Sequence, residues 1–500
     1  MKNLSKILYS VIGEGGFYVG GCVRDAALKR LSGDIDIALP KELVKPAAIK
    51  LAKELNAAVF EMDAQFGVWR IVTRKENLQI DLTAFQGKDL EEDLKRRDFT
   101  VNALAYPLSA LPEIKITKKD DKIFSLLQKL NKKKIIDLNK GLFDIIKKTI
   151  NANDKKVFAE DPLRILRAYR TSAELGYKIS PATVKLMRES YPLALAPAGE
   201  RIHEELTRIC NSQAAYATIA QMDKNGFLTT LFPALEEQRE CAVVYYGKGG
   251  VLKHTLAVVE RMDYLLTNLK KVFPKYSAKL KDFTQQKHIY IMAALLHDVA
   301  KPATAKEING RLRFFFHEEK GAAMARVILQ NFRYSADDIK LISAMIGEHL
   351  RPSNLASNNV ITDRGVYKFF RDLGSAGVPM LLLCWADYAS YISHATIAKI
   401  LPETHKKIKT LEECNPSSNV DKTLRHMQVI NFMFKKYFET PHKINPPKII
   451  DGKEIMDLLK IKPGKQVGEI LNAVAEAQVE GKISTKEEAQ EFVKSLRLAI

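Results

Sequence analysis

The sequence predicts an α+β domain at the N-terminus followed by a mostly α-helical body. From Phe17 to about Tyr106, short apolar segments rich in Val, Ile and Phe are interrupted by Gly, by charged residues and by helical stretches. After Glu160, apolar residues recur with the helical period of about 3.6 up to the end of the chain. The length of 500 residues exceeds what one hydrophobic core usually organises. We therefore expect several domains.

The composition limits the classes of protein to which the chain can belong. Lys and Arg number 78 and Asp and Glu 59, a formal net charge of +19 that favours a polyanionic partner such as nucleic acid. The five cysteines include no CxxC pair, which indicates neither a disulfide framework nor a zinc ribbon and fits a reducing compartment. No apolar run approaches the roughly 18 residues of a membrane span. We expect a cytoplasmic protein that has no membrane partner.

Two aspartates on one short strand form the first candidate site. Residues 17–38 read as a strand followed by the pair Gly20-Gly21, which opens a helix that carries Arg24. A second strand follows, in which Asp34 and Asp36 alternate with isoleucines. Strand periodicity places both carboxylates on one face. Two hard oxygen ligands, beside glycine backbone that can approach phosphates and a fixed positive charge, are what Mg²⁺-dependent nucleotidyl transfer requires. The alternative is a polar strand face next to a tight turn.

Two later segments carry charged residues in regular patterns. In the strand-like segment QIDLTAF, Asp81 shares a face with Gln79 and Thr83, and it is either a third carboxylate of the site or a solvated strand residue. In EDPLRILRAYR, the acidic pair and the proline are typical of a helix N-terminus, and arginines recur every three residues. Taken alone, the second segment also fits a capped helix with solvated arginines.

The order and spacing of these motifs resemble the class II tRNA nucleotidyltransferase and bacterial poly(A) polymerase family. The resemblance implies a polymerase-β-like nucleotidyltransferase head, a helical body, Mg²⁺ as cofactor, and tRNA, ATP and CTP as partners. The motifs that carry it are GG at 20–21 with RD at 24–25, GDIDIA at 33–38, RRDFTVNALAY at 96–106, EDPLRILRAYR at 160–170 and ERIHEEL at 200–206.

The resemblance assigns catalytic roles to the residues of the first site. Asp34 and Asp36 would hold two metal ions that activate the RNA 3′-hydroxyl and stabilise the α-phosphate and the leaving pyrophosphate, with Asp81 as a third carboxylate. Gly21 and Arg24 would contact the triphosphate. This chemistry needs no covalent enzyme intermediate.

The resemblance also assigns the later arginines to nucleotide binding. These residues are Arg97, Arg164, Arg167 and Arg170. Together with Asp161, Arg164 would read the base: a carboxylate accepts from the exocyclic amino group of cytosine or adenine, and a guanidinium donates to the adjacent ring nitrogen. Uracil and guanine present a carbonyl beside an N–H and would be rejected. The protein would thus take the place of a template.

A second candidate site is spread over the helical part of the chain. Its members, in the order H…HD…H…H…D, are His254, His297, Asp298, His317, His349 and Asp387. This order resembles the HD superfamily of metal-dependent phosphohydrolases, whose imidazoles and carboxylates suit a divalent metal that activates water. We expect the first three members and Asp387 to bind one ion and His317 and His349 to be available for a second, with Mg²⁺, Ni²⁺, Mn²⁺ and Co²⁺ as candidates. Any one of these histidines alone would more often be an ordinary core or surface residue.

The motifs divide the chain into four predicted domains. They are a nucleotidyltransferase head at 1–150 with a lysine-rich insertion at about 110–135, a helical nucleotide-reading and RNA-binding neck at 151–240, an HD domain at 241–400 and a helical tail at 401–500.

One departure from the family pattern bears on the product. Only residues 82–95 separate Asp81 from the RRD motif, so the longer flexible loop that many CCA-adding members carry there is absent or much reduced. That loop is associated with the switch from C to A addition in the family. The short segment therefore predicts an imbalance between C and A addition.

The best interpretation is a template-independent RNA nucleotidyltransferase that adds C, A or both to tRNA 3′ ends from CTP and ATP. A poly(A) polymerase is the alternative within the same class. An HD phosphohydrolase with a regulatory head, or an RNA-binding protein with an inactive head, are alternatives from other classes. The sequence leaves the oligomeric state open.

Overall fold

The computed structural model describes residues 4–63, 67–74, 77–119, 122–128, 130–415 and 417–497. Its backbone divides into two compact units, Met1–Glu205 and Leu206–Ile500. The first unit combines a sheet with helices and the second is almost entirely helical, which confirms the predicted fold class. The four-domain division proposed from the sequence is finer than these two units and stays a prediction.

The first unit begins with alternating strands and helices. Its strands are β1 (Phe17–Val19), β2 (Asp34–Leu39), β3 (Ala57–Asp63), β4 (Val68–Thr73), β5 (Gln79–Ala84), β6 (Leu104–Pro107), β7 (Glu113–Lys119), β8 (Lys122–Gln128), β9 (Ile136–Asp137), β10 (Thr149–Ile150) and β11 (Lys178–Ile179). Its helices are α1 (Leu4–Ile12), α2 (Gly21–Ala27), α3 (Lys41–Glu54), α4 (Leu90–Arg96), α5 (Gly141–Lys147), α6 (Val157–Glu160), α7 (Arg164–Leu175), α8 (Pro181–Glu189) and α9 (Gly199–Asn211), the last of which runs on into the second unit.

A mixed sheet forms the centre of the first unit. Among the described residues its strand order is β3-β4-β5-β2-β1-β6-β9. β2 and β5 run parallel, whereas β1 pairs antiparallel with both β2 and β6. Ile35 and Ile37 of β2 are fully buried, so the alternating aspartates of this strand lie on its other face. The alternation of side chains along β2 therefore directs its isoleucines into the core and its aspartates to the candidate site.

The lysine-rich insertion contains a β-hairpin. β7 and β8 pair antiparallel from Glu113 opposite Gln128 to Lys119 opposite Lys122. In β7, isoleucines alternate with polar residues, which is the pattern of a strand with one covered face. The hairpin is joined to the rest of the unit where Ser125 pairs with Ser32. Lysines 132–134 follow the hairpin and are exposed.

The second unit consists of helices and one small hairpin among its described residues. Its helices are α10 (Ala215–Lys224), α11 (Phe227–Leu231), α12 (Val243–Tyr246), α13 (Gly250–Thr267), α14 (Leu269–Val272), α15 (Ser277–Phe283), α16 (Lys287–Leu296), α17 (Lys301–Thr304), α18 (His317–Asn331), α19 (Ala336–Gly347), α20 (Arg351–Ala356), α21 (Asp363–Leu373), α22 (Gly377–Ala389), α23 (His394–Ile400), α24 (Asn419–Glu439), α25 (Pro441–Ile444), α26 (Gly452–Leu459), α27 (Lys465–Val479) and α28 (Lys486–Arg497). The hairpin strands are β12 (Lys306–Ile308) and β13 (Arg311–Arg313).

Two nearly all-apolar helices, α16 and α22, form the core of the second unit. From His288 to Leu296 every residue of α16 is buried, and α22 is buried from Gly377 to Ala386. Helices of this kind are enclosed on all sides, and both pack against α13. No helix in the described part of the chain has both the length and the apolar character needed to cross a membrane.

The last three helices have a core of their own and are tied to α21 by charge. Ile455, Ile470 and Val493 are among the buried residues that join α26, α27 and α28. On the outside of this core, the carboxylate of Glu476 on α27 receives three cations from α21. They are Arg364 at 2.6 Å, Lys368 at 3.2 Å and Arg371 at 3.1 Å.

Candidate active sites

Three carboxylates meet on one face of the sheet in the first unit. Because β2 and β5 pair in parallel with Asp36 opposite Asp81, the two strands present their aspartates side by side. One oxygen from each of Asp34, Asp36 and Asp81 lies within 4.8 Å of the others. We call these three residues the carboxylate site. The parallel pairing therefore brings Asp81, which the sequence alone also allowed to be a solvated strand residue, next to the other two.

The electrostatics of the carboxylate site suit a divalent cation. Burial and the charges of Asp34 and Asp81 raise the pKa of Asp36 to about 8. Carboxylates that repel one another in this way are neutralised when a hard cation binds between them. The donor set of the site is all oxygen, which fits Mg²⁺.

Arg70 is a member of the site that the sequence reasoning missed. It lies directly opposite Asp81 on the antiparallel strand β4. Its Nε and Nη2 donate to the two oxygens of that carboxylate at 2.8 and 2.6 Å. The bidentate pair fixes the orientation of Asp81 beside Asp36. The sequence does show a basic residue on a neighbouring strand. Placing it opposite Asp81, however, requires the register of β4 against β5.

The glycine turn before α2 lies next to two predicted nucleotide-binding arginines. Gly20 has a φ of +70°, and a Cβ at this position would lie 3.0 Å from Nη1 of Arg97. A side chain there would therefore be both strained and crowded. A Cβ on Gly21 would lie 3.6 Å from Nη2 of Arg24. The guanidinium of Arg24 donates to the carboxylate of Asp25, with two N–H···O distances of 3.0 Å.

A buried aspartate anchors Arg167 behind the carboxylate site. Asp98 pairs with Nη2 of Arg167 at 2.9 Å and accepts a hydrogen bond from Nδ2 of Asn102 at 3.0 Å. Although burial alone would raise the pKa of Asp98, the charge of Arg167 and these hydrogen bonds hold it below its ordinary value. Asn102 in turn accepts from Nη1 of Arg24 at 2.5 Å. The RRD motif, α2 and α7 are thus joined by one polar network.

The two proposed base-reading residues lie where α6 gives way to α7. Asp161 is one-quarter exposed, and its Oδ2 accepts from Nη2 of Arg201 on α9 at 2.8 Å. Arg164 donates from Nη1 to the carbonyl of Val157 and from Nη2 to the carbonyl of Arg96, both at 3.1 Å. Arg164 thus also holds the backbone at the start of the RRD motif.

Arg170 lies in a different environment from the other predicted nucleotide-binding arginines. It is 9% exposed, and its Nε donates to Glu205 at 2.5 Å while its Nη1 pairs with Glu174 at 3.0 Å. Burial disfavours the charged guanidinium, but the two glutamates outweigh this effect and raise the pKa of Arg170. Both donating edges of Arg170 therefore face protein carboxylates rather than an open cleft.

The segment before the RRD motif is short and held by hydrogen bonds. Within residues 82–95, Asp89 caps α4 by accepting from the amide of Glu92 at 3.0 Å. The amide of Gln86 donates to Asp93 at 3.0 Å. These contacts fix both ends of the connection between β5 and α4, so a short helix stands where a long flexible loop would otherwise be.

The six side chains of the second candidate site come together from five helices and their ends. We call this set the HD centre. His254 lies on α13, His297 and Asp298 directly follow α16, His317 begins α18, His349 follows α19 and Asp387 lies on α22. The ligand atoms form two groups, one of His254, His297 and Asp387 and one of Asp298, His317 and His349, each with its atoms within 4.8 Å of one another.

Asp298 lies between these two groups. Its Oδ2 is 3.5 Å from Nε2 of His254 and 3.1 Å from Nε2 of His297. Its Oδ1 is 3.4 Å from Nε2 of His317 and 3.8 Å from Nε2 of His349. The sequence-based assignment gave Asp298 to the first ion alone. The geometry instead makes it a carboxylate that can bridge two ions.

The histidines of the HD centre are oriented as metal ligands. Nδ1 of His297, His317 and His349 each donates to the backbone carbonyl three residues earlier, at 2.8, 2.6 and 2.7 Å. This bond leaves Nε2 unprotonated and aimed at the centre. Within the described residues, Nε2 of His297, Nε2 of His317 and Oδ1 of Asp298 are buried without a hydrogen-bond partner. Such atoms fit a bound divalent cation.

The ionisation of the HD centre also suits a metal. Burial lowers the pKa of His349 to about 4, so the imidazole is in the neutral form that coordinates metal. Although burial would raise the pKa of Asp387, its hydrogen bond to His254 and the charge of that residue lower it to about 2. Near pH 7 the centre therefore offers a neutral imidazole at His349 and an ionised carboxylate at Asp387.

Lys301 and two tyrosines complete the HD centre and were missed in the sequence. Nζ of Lys301 lies 2.6 Å from Oδ2 of Asp298 and donates to the hydroxyl of Tyr246 at 3.0 Å. The ring of His254 lies between those of Tyr246 and Tyr391, with centroid distances of 4.9 and 5.2 Å. The i,i+3 spacing of Lys301 from Asp298 was the available signal. Nothing local marks the tyrosines, which come from distant parts of the chain.

Known domain families match four segments of the chain. Residues 16–151 match the poly A polymerase head domain, and residues 251–390 match the HD domain. Residues 176–239 match an RNA- and SrmB-binding site of polymerase A, and residues 442–493 match tRNA nucleotidyltransferase domain 2.

Curated relatives match almost the whole chain. It is 26% identical over 499 residues to the CC-adding tRNA nucleotidyltransferase of Geobacter sulfurreducens, which covers 99% of this chain and 96% of that protein. It is 28% identical over 487 residues to the A-adding tRNA nucleotidyltransferase of Deinococcus radiodurans, with coverages of 96% and 95%.

Solved structures share the fold. The Bacillus stearothermophilus CCA-adding enzyme in complex with CTP superposes with a TM-score of 0.59 at 18% identity, covering 100% of this chain and 98% of that one. The Thermotoga maritima CCA-adding enzyme complexed with tRNA gives a TM-score of 0.55 at 19% identity, with coverages of 99% and 94%.

The head fold and its carboxylate site define a nucleotidyltransferase that depends on divalent metal. The domain matches and the full-length relatives then specify which kind. The chain is similar over almost its whole length to class II tRNA nucleotidyltransferases, and it carries a segment that matches the HD domain. The family resemblance seen in the sequence is confirmed.

Proposed function

We propose that this protein transfers nucleotidyl groups from CTP and ATP to the 3′ ends of tRNA in the cytoplasm. The observation that carries the proposal is the meeting of Asp34, Asp36 and Asp81 on one sheet face. The names of the full-length relatives and the CTP and tRNA complexes of structures with the same fold support the choice of substrates.

The reaction balances without a covalent enzyme intermediate. The 3′-oxygen of the RNA bonds to the α-phosphorus, the bond from that phosphorus to the bridging oxygen of the β-phosphate breaks, and pyrophosphate leaves. The carboxylate site would hold Mg²⁺, which lowers the pKa of the attacking hydroxyl and stabilises negative charge on the phosphates. Arg70 keeps the Asp81 carboxylate in place. Arg24 and Arg97 supply positive charge beside the glycine turn.

Base selection rests on the pair that Arg201 helps to position. Asp161 would accept from the amino group of cytosine or adenine, and Arg164 would donate to the ring nitrogen. The ion pair between Arg201 and Asp161 directs one oxygen of that aspartate, while the other oxygen accepts from the backbone N–H of Leu163 at 3.1 Å. The selection for an amino group over a carbonyl follows from these fixed donors and acceptors.

We expect C addition to exceed A addition, because a short capped helix occupies the place of the longer loop. The test uses purified protein with tRNA transcripts that lack CCA, end in C or end in CC, supplied with one nucleotide at a time. C incorporation at least about tenfold faster than A incorporation supports the proposal. Equal rates on all three transcripts would show that this segment does not control the switch.

A variant of the carboxylate site shows whether the head or a contaminating enzyme catalyses the incorporation. Asp36→Asn keeps the size of the side chain and removes its charge, so incorporation on every transcript should be lost. The same assay distinguishes a poly(A) polymerase, which would build long A tails on RNA that is not tRNA. Undiminished incorporation by the variant would remove the carboxylate site as the catalyst.

The HD centre supports a second activity, the metal-dependent hydrolysis of a phosphomonoester or a 2′,3′-cyclic phosphate. The buried unpartnered ligand atoms around Asp298 favour it. Metal analysis of the full chain should find ions at this centre, and hydrolysis should be tested with Mg²⁺, Mn²⁺, Ni²⁺ and Co²⁺. Finding neither bound metal nor hydrolysis would leave these helices with a structural role only.

A further inference from the structure

A cavity beside the HD centre is lined in part by a helix from outside the HD domain. The cavity has a volume of about 300 Å³, and Asp298, His317 and His349 are among its lining residues. Its wall also includes Asn419 and Lys422 of α24. This helix lies between the residues that match the HD domain and those that match tRNA nucleotidyltransferase domain 2. Neither family match therefore includes this wall.

The helical repeat explains why α24 presents polar residues to the cavity. Asn419, Lys422 and Thr423 are spaced i, i+3 and i+4, which places them on one face of the helix. Thr423 is buried, and its hydroxyl donates to the backbone carbonyl of Tyr388 at 3.1 Å. This bond attaches α24 to α22, the helix that carries Asp387. The wall is thus held in a fixed position relative to the metal ligands.

Lys422 is the cation at the cavity that remains available to a ligand. Lys301 also lines the cavity, but its charge is used by Asp298 at 2.6 Å. Lys422 is exposed and forms no ion pair with any residue that the structure describes. A dianionic phosphate held at the HD centre would face this free ammonium group across the cavity.

The remaining wall suits a small organic group. Leu350, Tyr388 and Tyr391 line the cavity, and the Tyr391 side chain is 41% exposed. Aromatic rings of this kind stack on a nucleobase or cover a sugar. A volume of about 300 Å³ is at the small end of ligand sites. This volume suits a ligand of about the size of one nucleotide.

We propose that α24 completes the substrate site of the HD centre and that Lys422 binds the phosphate of a phosphomonoester no larger than a single nucleotide. This inference rests on the hydrolytic function proposed above. In the reaction, the oxygen of water bonds to phosphorus and the ester P–O bond breaks. The alcohol leaves with a proton, and inorganic phosphate remains.

The test compares three variants of two lysines on the same helix. Lys422→Met removes the charge and keeps most of the side-chain length, whereas Lys422→Arg keeps the charge. Lys435→Met is the matched control, because Lys435 is an exposed lysine of α24 that does not line the cavity. For each full-length protein loaded with Mn²⁺, we would measure bound metal, the binding of inorganic phosphate by calorimetry, and the hydrolysis of adenosine monophosphates.

We expect Lys422→Met to weaken phosphate binding and to raise KM by about tenfold with little change in kcat. Lys422→Arg should restore most of the affinity, and Lys435→Met should match the unaltered protein. Metal content and nucleotide addition to tRNA should be unchanged in all three. A short oligoribonucleotide bearing the same terminal phosphate should be hydrolysed at least about tenfold less efficiently than the mononucleotide.

Two different failures can be told apart. If the protein binds metal at the HD centre but Lys422→Met binds phosphate as tightly as Lys435→Met, α24 is not part of the substrate site and only this inference is overturned. If the unaltered protein binds no metal at the HD centre, the hydrolytic function fails and the inference fails with it. Equal hydrolysis of the oligonucleotide and the mononucleotide would overturn the size limit.

Discussion

Replacing Arg170 by Met should destabilise the first unit without weakening nucleotide binding. Arg170 is 9% exposed and contacts Glu205 at 2.5 Å and Glu174 at 3.0 Å. Removing one partner of a buried ion pair costs about 3–5 kcal/mol, because the remaining charge is left without compensation. For a domain of roughly 150–250 residues, 1 kcal/mol lowers the melting temperature by about 2–4 °C. We therefore expect the unfolding transition of this unit to fall by about 10 °C.

The measurement is thermal unfolding followed by circular dichroism, together with KM for CTP. Lys185→Met is the matched control, because Lys185 is an exposed lysine on α8. Adding Glu205→Gln to Arg170→Met removes one of the two carboxylate charges that lost their partner, and it should recover about half of the lost stability. An unchanged melting temperature combined with a KM raised by tenfold or more would refute this reasoning and return Arg170 to the nucleotide site.

Three further changes test the two active sites. Asp36→Ala should reduce nucleotide addition by about a thousandfold or more while RNA binding stays within a few-fold, because a metal ligand acts mainly on the transition state. Single-turnover incorporation measures the addition, and filter binding measures the affinity for RNA. Arg164→Ala should reduce the preference for C and A over U and G by about tenfold to a hundredfold, and a proportional fall for all four nucleotides would make it a triphosphate or structural contact instead. Asp298→Ala should remove bound metal from the HD centre, as prolonged chelation does, while the head still adds nucleotides; metal retained at the level of the unaltered protein would contradict the bridging role.

Local patterns were sufficient for the parts of the carboxylate site that lie on one strand. Asp34 and Asp36 share a face because a strand repeats every two residues, and that rule depends on nothing outside β2. The positions of Asp81 and Arg70 depend on which strands pair and in what register. β2 and β5 are separated in the chain by α3, β3 and β4, so their pairing is decided by the packing of the whole sheet.

The HD centre shows the same limit. The order of its six members in the sequence predicted that they belong together, but the bridging position of Asp298 depends on how five helices pack. The spacing of Lys301, three residues after Asp298, could be seen in the sequence, whereas Lys422 lies far along the chain from the six members of the HD centre. The interior position of Arg170 was also hidden, because its spacing from Arg164 and Arg167 is that of an exposed arginine stripe.

The contact between Glu476 on α27 and three cations of α21 should tolerate mutation of a cation better than mutation of the carboxylate. Losing Arg364, Lys368 or Arg371 leaves two cations on the same carboxylate, so each of the three is individually dispensable. Losing Glu476 instead leaves three like charges side by side, although Arg371 keeps a second carboxylate partner, that of Asp372 at 2.8 Å. In this contact the cations can replace one another, whereas the carboxylate has no substitute. Substitutions should therefore accumulate at the three cationic positions of α21, while the single acidic position on α27 is kept.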